Sequence, residues 1–198
     1  MIIPIRFRKS SEGAIASYDF VDIAEGTGVS AFYLAQAQTS SAISYILTTN
    51  QIYSDIISLL HLGASTQSQD FNLTAFNLPK IVKGTAYASF ALAGGGNMTY
   101  VKVQLKKVSG VTVSNVSGEI SADLTTGAEV KMCLIPMPLT TTHFKIGDIL
   151  RLTLQMSNSN GNMEIGTDPK GRAGTYITSS TPTITTISQI FVPFRIDI

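Results

Sequence analysis

The sequence predicts an all-β fold, a single antiparallel β-sandwich of jelly-roll type over residues 1–198. Three observations predict it. Apolar residues recur at every second position through about ten short stretches, the period of a strand with one dry face. Clusters of Gly, Ser, Asn and Pro separate these stretches at fairly regular spacing, and no alternation of strands with helical patterns is visible. The chain is 198 residues long and 44% hydrophobic, enough for a sizeable core. Its wide loops favour a jelly roll over an immunoglobulin-type sandwich.

In order along the chain, Ile3, Ile5 and Phe7 share one face of a first strand, in which Pro4 cannot donate to a ladder. Short strands follow at 18–23 and 29–34, separated by the turn Glu25-Gly26-Thr27-Gly28. Residues 42–48 and 52–61 read as strands. A helix over 51–62 is the alternative, because Tyr53, Ile56, Ile57 and Leu60 fall at helical spacing before Gly63. Phe71, Leu73 and Ala75 alternate with polar residues. A long half-buried strand then runs from Val82 to Leu92. Gly94-Gly95-Gly96-Asn97 reads as a hairpin loop leading to a partner strand at 99–107. Ser109-Gly110 turns the chain, and a change of face near Ser114-Asn115 predicts a bulge or tight turn. The alternation from Ala128 to Leu134 predicts a strand that Pro136 and Pro138 end.

The clearest pattern is His143 to Met156, HFKIGDILRLTLQM. Leu150, Leu152, Leu154 and Met156 point one way, into the predicted core. Ile149, Arg151, Thr153 and Gln155 point the other way. Gly166 to Ser180 is the longest polar segment. Its Asp168, Lys170 and Arg172 mark a candidate contact loop. In the last strand Ile190, Val192, Phe194 and Ile196 share a face, and Pro193 marks an edge. The two ends have the same form, apolar-apolar-Pro-apolar-Arg-apolar. Ile3, Pro4, Ile5, Pro193 and Phe194 are therefore candidate edge or assembly residues.

Composition excludes several function classes. Only 14% of residues are charged, against roughly 25% in a typical globular protein. A surface rich in hydroxyls and apolar groups is readily desolvated, which suits burial between subunits. The net charge is +1 and no basic stripe exists, so nucleic acid is not an expected partner. Lys102, Lys106 and Lys107 read as a solvated face. Cys133 alone gives no disulfide framework and no thiolate metal cluster. No signal peptide or apolar span is visible, so no membrane is expected.

Catalytic patterns are also missing. His61 and His143 are the only histidines, and the sequence has no G-x-S-x-G elbow, H-x-H or H-E-x-x-H. The 13 acidic residues show no D-x-D-x-D calcium spacing. No cofactor is expected. Tyr87 and Tyr100, on either side of the glycine run, are the candidate exposed aromatic pair, with cross-strand packing as the plainer reading.

RFRKSSEGAIASYDFVDIAEGTG (residues 6–28) resembles the N-terminal segment of a group of uncharacterised phage and viral structural proteins. HFKIGDILRLTLQM, followed by IGTDPKGRAG up to residue 174, resembles a late strand and loop of that group. Its first half also looks like the F-x-x-G-[HD]-x-L-R-L strand of many jelly-roll domains. The resemblance implies a virion component on a jelly-roll fold and carries no catalytic residues. The resulting expectation is a non-enzymatic virion protein, a minor capsid or capsid-decorating subunit. Its expected partners are itself, as a homotrimer, and other capsid proteins. The alternative is a receptor- or glycan-binding head of a virus particle.

Overall fold

The computed structural model describes residues 27–38, 43–50, 59–62, 65–94, 98–124, 130–158, 163–170, 173–175, 183–185 and 187–196. All the regular structure among them is β. The strands are β1 (Thr27–Gln38), β2 (Ile43–Thr48), β3 (Leu59–Leu62), β4 (Ser65–Asn72), β5 (Lys80–Gly94), β6 (Met98–Ser109) and β7 (Thr112–Asn115). They continue as β8 (Ile120–Asp123), β9 (Val130–Phe144), β10 (Ile149–Asn158), β11 (Met163–Gly166), β12 (Ala173–Thr175), β13 (Thr183–Thr185) and β14 (Gln189–Ile196).

The alternation in β10 sets the plan. Leu150, Leu152 and Leu154 are fully buried and Met156 is 1% exposed. Both edges of β10 are paired, to β4 from Arg151↔Asn72 to Asn158↔Ser65 and to β6 from Ile149↔Val108 onward. This β4–β10–β6 sheet carries β7 and β8 on the far edge of β6. The other sheet runs β9–β5–β14–β1–β2, and β11 and β3 extend it beyond the end of β14. Phe71, Val103, Leu105 and Leu152 from one sheet and Phe32, Leu34, Val82, Phe90 and Ile190 from the other belong to one buried cluster, so the sheets pack face to face as a β-sandwich. Among the described residues every ladder is antiparallel except one. The sheets join at the single parallel bridge Ile46↔Asn72, and on the opposite side Ser117↔Leu139 links β9 to the segment before β8.

Several elements differ from the sequence expectation. The glycine run does not close a hairpin: β5 pairs β9, β11 and β14, whereas β6 pairs β10, β7 and β8. Alternation gives a strand's faces but not its neighbour, so the chain crosses between sheets where a turn composition suggests a return. β9 runs through Pro136 and Pro138 to Phe144. Among the described residues its continuous ladder is with β5, and the other edge meets only the isolated bridge at Leu139, beyond both prolines, which leaves room for residues that donate no hydrogen bond. Pro193 and Phe194 are not on an edge, because β14 lies between β1 and β5. Pro193 is tolerated there because the β14–β5 ladder breaks between Phe191 and Phe194. β5 breaks register with β9 at the same level, between Val82 and Gly84. Gly84 has φ +102, a value that favours glycine, and a Cβ on it would sit 3.6 Å from Pro193 Cγ. Leu59–Leu62 is strand, in agreement with the end of the strand read over 52–61 and against the helix alternative there. The arm at Ile3, Pro4 and Ile5, the strand at 18–23 and residues 51–58 lie outside the described residues.

The change of face near Ser114-Asn115 has a concrete form. Val116 N and Ser117 N both donate to Leu105 O, at 2.8 and 3.1 Å, and Leu105 N donates to Ser117 Oγ at 2.9 Å. Two residues thus oppose one, which is a bulge, and the serine hydroxyl replaces a missing ladder acceptor.

Leu152 sits at the centre of this arrangement. Leu152→Ala should lower unfolding free energy by about 2–5 kcal/mol in urea titration. A loss below ~1 kcal/mol would mean that the site collapses around the smaller side chain or that the core lies elsewhere.

Candidate functional site

Four polar or apolar constellations stand out, and they lie on different surfaces. The first is the corner between β9 and β10, where the chain passes from one sheet to the other. Asp148 is buried at 3% exposure. Its Oδ2 accepts from Lys145 N at 2.7 Å and lies 2.8 Å from Lys107 Nζ. Lys107 Nζ also donates to His143 O at 2.6 Å and stands 5.6 Å over the Phe144 ring. Gly147, with φ +89, donates to Phe76 O at 2.9 Å, and Phe76 N donates to Asp148 O at 2.9 Å. Burial pushes the Asp148 pKa up. Hydrogen bonds from Lys107, the Lys145 amide and Ser109 outweigh that, so the carboxyl titrates below its ordinary value. The ionised residues of HFKIGD thus fasten a corner, and the His143 side chain is exposed.

The second is the outer face of β4–β10–β6. Arg151 stands on it, opposite the buried leucines. Its NH1 lies 3.0 Å from Asp70 Oδ2 and its Nε donates to Asn72 Oδ1 at 2.7 Å. Thr153 Oγ1 donates to Asp70 Oδ1 at 2.7 Å. Gln155 Nε2 donates to Ser68 Oγ at 3.3 Å, and Lys102 Nζ pairs with Glu119 Oε1 at 2.8 Å. The glutamate's hydrogen bond holds the Lys102 pKa above its ordinary value. Ser68, Lys102, Gln104, Glu119, Thr153 and Gln155 surround a shallow depression of about 150 Å³. Both Asp70 oxygens are engaged, one by Arg151 and the other by Thr153.

The third constellation is buried at the end of the other sheet. The sequence marks Asp168 as part of an exposed contact loop, but it is 1% exposed, as are Thr167 and Glu164. Lys170 is exposed and its amide donates to Asp168 Oδ1 at 3.1 Å, an Asx-type turn. Arg172 lies outside the described residues. Gln36 Nε2 donates to Thr167 Oγ1 at 2.9 Å, and Ala91 N donates to the buried Ser188 Oγ at 3.1 Å. Glu164 is in register with Ala93 on β5 and with His61 on β3. Hydrogen-bonded polar groups thus tie β1, β5 and the loop after β11 together. One sign of this was legible in the sequence, an aspartate two residues before the backbone amide it accepts from. The long-range partners Gln36 and Ser188 carried none.

The fourth is the outer face of β9–β5–β14–β1. Tyr87 stands on it, in register with Pro136 on β9 and with Phe191 on β14. Tyr100 belongs to the opposite sheet, where Lys102 Nζ lies 5.0 Å over its ring. The two tyrosines therefore form no pair. Cys133 is half-buried and burial pushes its thiol pKa up, away from a reactive thiolate. Among the described residues no group of three or more His, Cys, Asp or Glu could hold a metal ion, and no helix is long and apolar enough to cross a membrane.

No protein-family model matches the chain, and no curated protein matches it. Solved structures do. An α-amino acid ester hydrolase superposes with TM-score 0.61 at 11% identity over 84% of this chain and 36% of its own. A CocE/NonD family hydrolase from Staphylococcus aureus superposes with TM-score 0.53 at 12% identity over 98% of this chain and 40% of its own. The chain therefore spans well under half the length of either hydrolase, and at these identities the likeness is one of fold. A pentameric capsid protein from metagenomic phage sequences reaches only TM-score 0.20, too low to carry weight.

These findings overturn the expectation of a non-enzymatic virion subunit and that of a viral binding head. The fold shared at TM-scores above 0.5 is found in hydrolases. The physical reason for the difference is plain in β10: F-x-x-G-D-x-L-R-L encodes a sheet-crossing corner and a half-buried strand. Any jelly-roll domain needs these, whatever molecule contains it.

The Asp148 corner has a pH signature. A carboxyl whose folded pKa lies below its unfolded value stabilises the fold above the unfolded pKa, ordinarily 3.8, and loses that stability as pH falls through the folded value. Asp148→Asn should therefore cost about 1–3 kcal/mol at pH 7 and flatten the fall in stability below about pH 4. Chemical denaturation at pH 7 and pH 3 checks both; an equal cost at the two pH values would refute the ion-pair account.

Proposed function

We propose that this chain forms the β-sandwich part of a hydrolase acting on ester or amide bonds. The observation that carries the proposal is the superposition on an α-amino acid ester hydrolase at TM-score 0.61 over 84% of the chain. The CocE/NonD family hydrolase supports it with nearly the whole chain aligned. In both, more than half of the polypeptide lies beyond the part this fold matches. On this reading the chain supplies a rigid sandwich, and the remaining polypeptide of the enzyme supplies the nucleophile and its base.

The internal chemistry of the chain agrees with that division. Hydrolysis of an ester or amide needs a hydroxyl or thiol within reach of a base. Here Thr153 donates to Asp70, Ser117 donates to Gly118 O at 2.8 Å, and the Ser188 hydroxyl accepts from Ala91. These hydroxyls are committed to holding strands together. A stiff sandwich whose hydroxyls brace its own strands suits a unit that positions other parts of an enzyme.

The test is activity of the protein in its native assembly. Material purified under mild conditions from cells expressing it at its natural locus should hydrolyse an α-amino acid methyl ester, p-nitrophenyl acetate or alanine p-nitroanilide. The activity should co-elute with the chain through two successive columns. A homogeneous preparation that turns over none of the three overturns the proposal.

A further inference from the structure

The two outer faces of the sandwich differ in kind. The face of β4–β10–β6 carries Asp70, Arg151, Lys102 and Glu119 in ion pairs. On β9–β5–β14–β1, registered rows cross all four strands. One row is Pro136, Tyr87, Phe191 and Ala31; the next is Leu134, Ser89, Gln189 and Tyr33. Residues directly opposite across antiparallel ladders project to the same face, so each row is a line of neighbours. Leu134 is 65% exposed, Met132 57% and Tyr87 44%. Neither row contains an acidic or basic residue. Lys83 and Arg195, both exposed, lie toward one end of the same strands.

The extent of this face matters. Four strands about 4.8 Å apart and six residues at about 3.3 Å each give a footprint of roughly 300–400 Å². Within it Met132, Leu134 and Tyr87 are the exposed large apolar side chains, with the uncharged Ser89 and Gln189 among them, an extent of the order of the largest patch on a typical monomer. A charge-free centre with cationic residues at its margin is the composition of an interface core with a polar rim. It is smaller than the roughly 800 Å² each partner contributes to a standard interface, so surrounding loops must complete it.

We infer that this apolar face of β9–β5–β14–β1 docks the sandwich onto the remaining globular part of the hydrolase, and that the charged face of β4–β10–β6 stays turned to water. The inference rests on the proposed function for the identity of the occupant. That occupant is a folded domain presenting an apolar surface, because the solved hydrolases sharing this fold hold more than half of their chain beyond it.

A photo-crosslinking amino acid at Leu134, and in a second preparation at Gln155, tests the inference in the native assembly. Adducts from position 134, but not from 155, should map by mass spectrometry to polypeptide outside this sequence that carries the hydrolase activity. Leu134→Glu should reduce the co-purifying esterase activity by about tenfold or more, equivalent to ~1.4 kcal/mol of binding. It should leave the thermal melting curve of the sandwich unchanged, since the side chain is largely in water. Adducts from 155 alone would place the interface on the charged face and overturn the inference while the proposed function stands. Adducts from 134 to a second copy of this chain would make the occupant a homo-oligomer and also overturn it. A preparation without hydrolase activity defeats the proposed function itself, and this inference with it.

Discussion

The whole structure depends on β10 being held on both edges while one of its faces is dry. A strand paired by β4 and β6 along nearly its full length cannot slip by one residue without turning Leu150, Leu152, Leu154 and Met156 out into water. Four buried side chains at about 1.5–3 kcal/mol each make that slip prohibitive. The rest of the sandwich is built against this fixed plate. Phe71 on β4 and Val103 and Leu105 on β6 continue the dry face, and the second sheet closes over it.

A fixed β10 needs a fixed entry. The chain arrives from β9 in the opposite sheet, so the corner has to reverse direction and change layer within residues 145–148. Gly147 supplies the positive φ, and the buried Asp148 carboxylate ties the Lys145 amide. A buried carboxylate without a partner would be strongly unfavourable. Lys107, reaching from β6, neutralises it, and β6 is itself a ladder partner of β10. The corner and the sheet therefore support each other. This explains how a stretch carrying His, Lys, Asp and Arg within a few residues serves the architecture of the sandwich.

Faces were legible in the sequence and neighbours were not. Period two is a local property, so Leu150 to Met156 and Val82 to Leu92 could be oriented from residues alone. The glycine run after Gly94 has the composition of a hairpin, yet it joins two sheets, because pairing is decided by which dry faces meet across the core. The proline rule failed in a related way. Pro136, Pro138 and Pro193 each lack a donor, but a strand with a continuous ladder along one edge and a break in register both accommodate that. The buried polar groups Thr167 and Ser188 were hidden because their partners Gln36 and Ala91 are 131 and 97 residues away in sequence.

Composition misled in a more instructive way. An average of 14% charged residues suggests a surface uniformly poor in charge and hence a particle subunit. The structure shows that charge is sorted instead. Asp70, Lys102, Glu119 and Arg151 crowd one outer face, and the central rows of the other have none. A symmetric shell would call for low charge on several contact faces. The proposed packing on one side, with water on the other, would match this division. The uncharged rows cross four hydrogen-bonded strands. A partner can therefore bury them without the entropy cost of ordering a loop. An average over the chain cannot carry that distinction, because it resides in which strand each charge occupies and which way the pleat turns it.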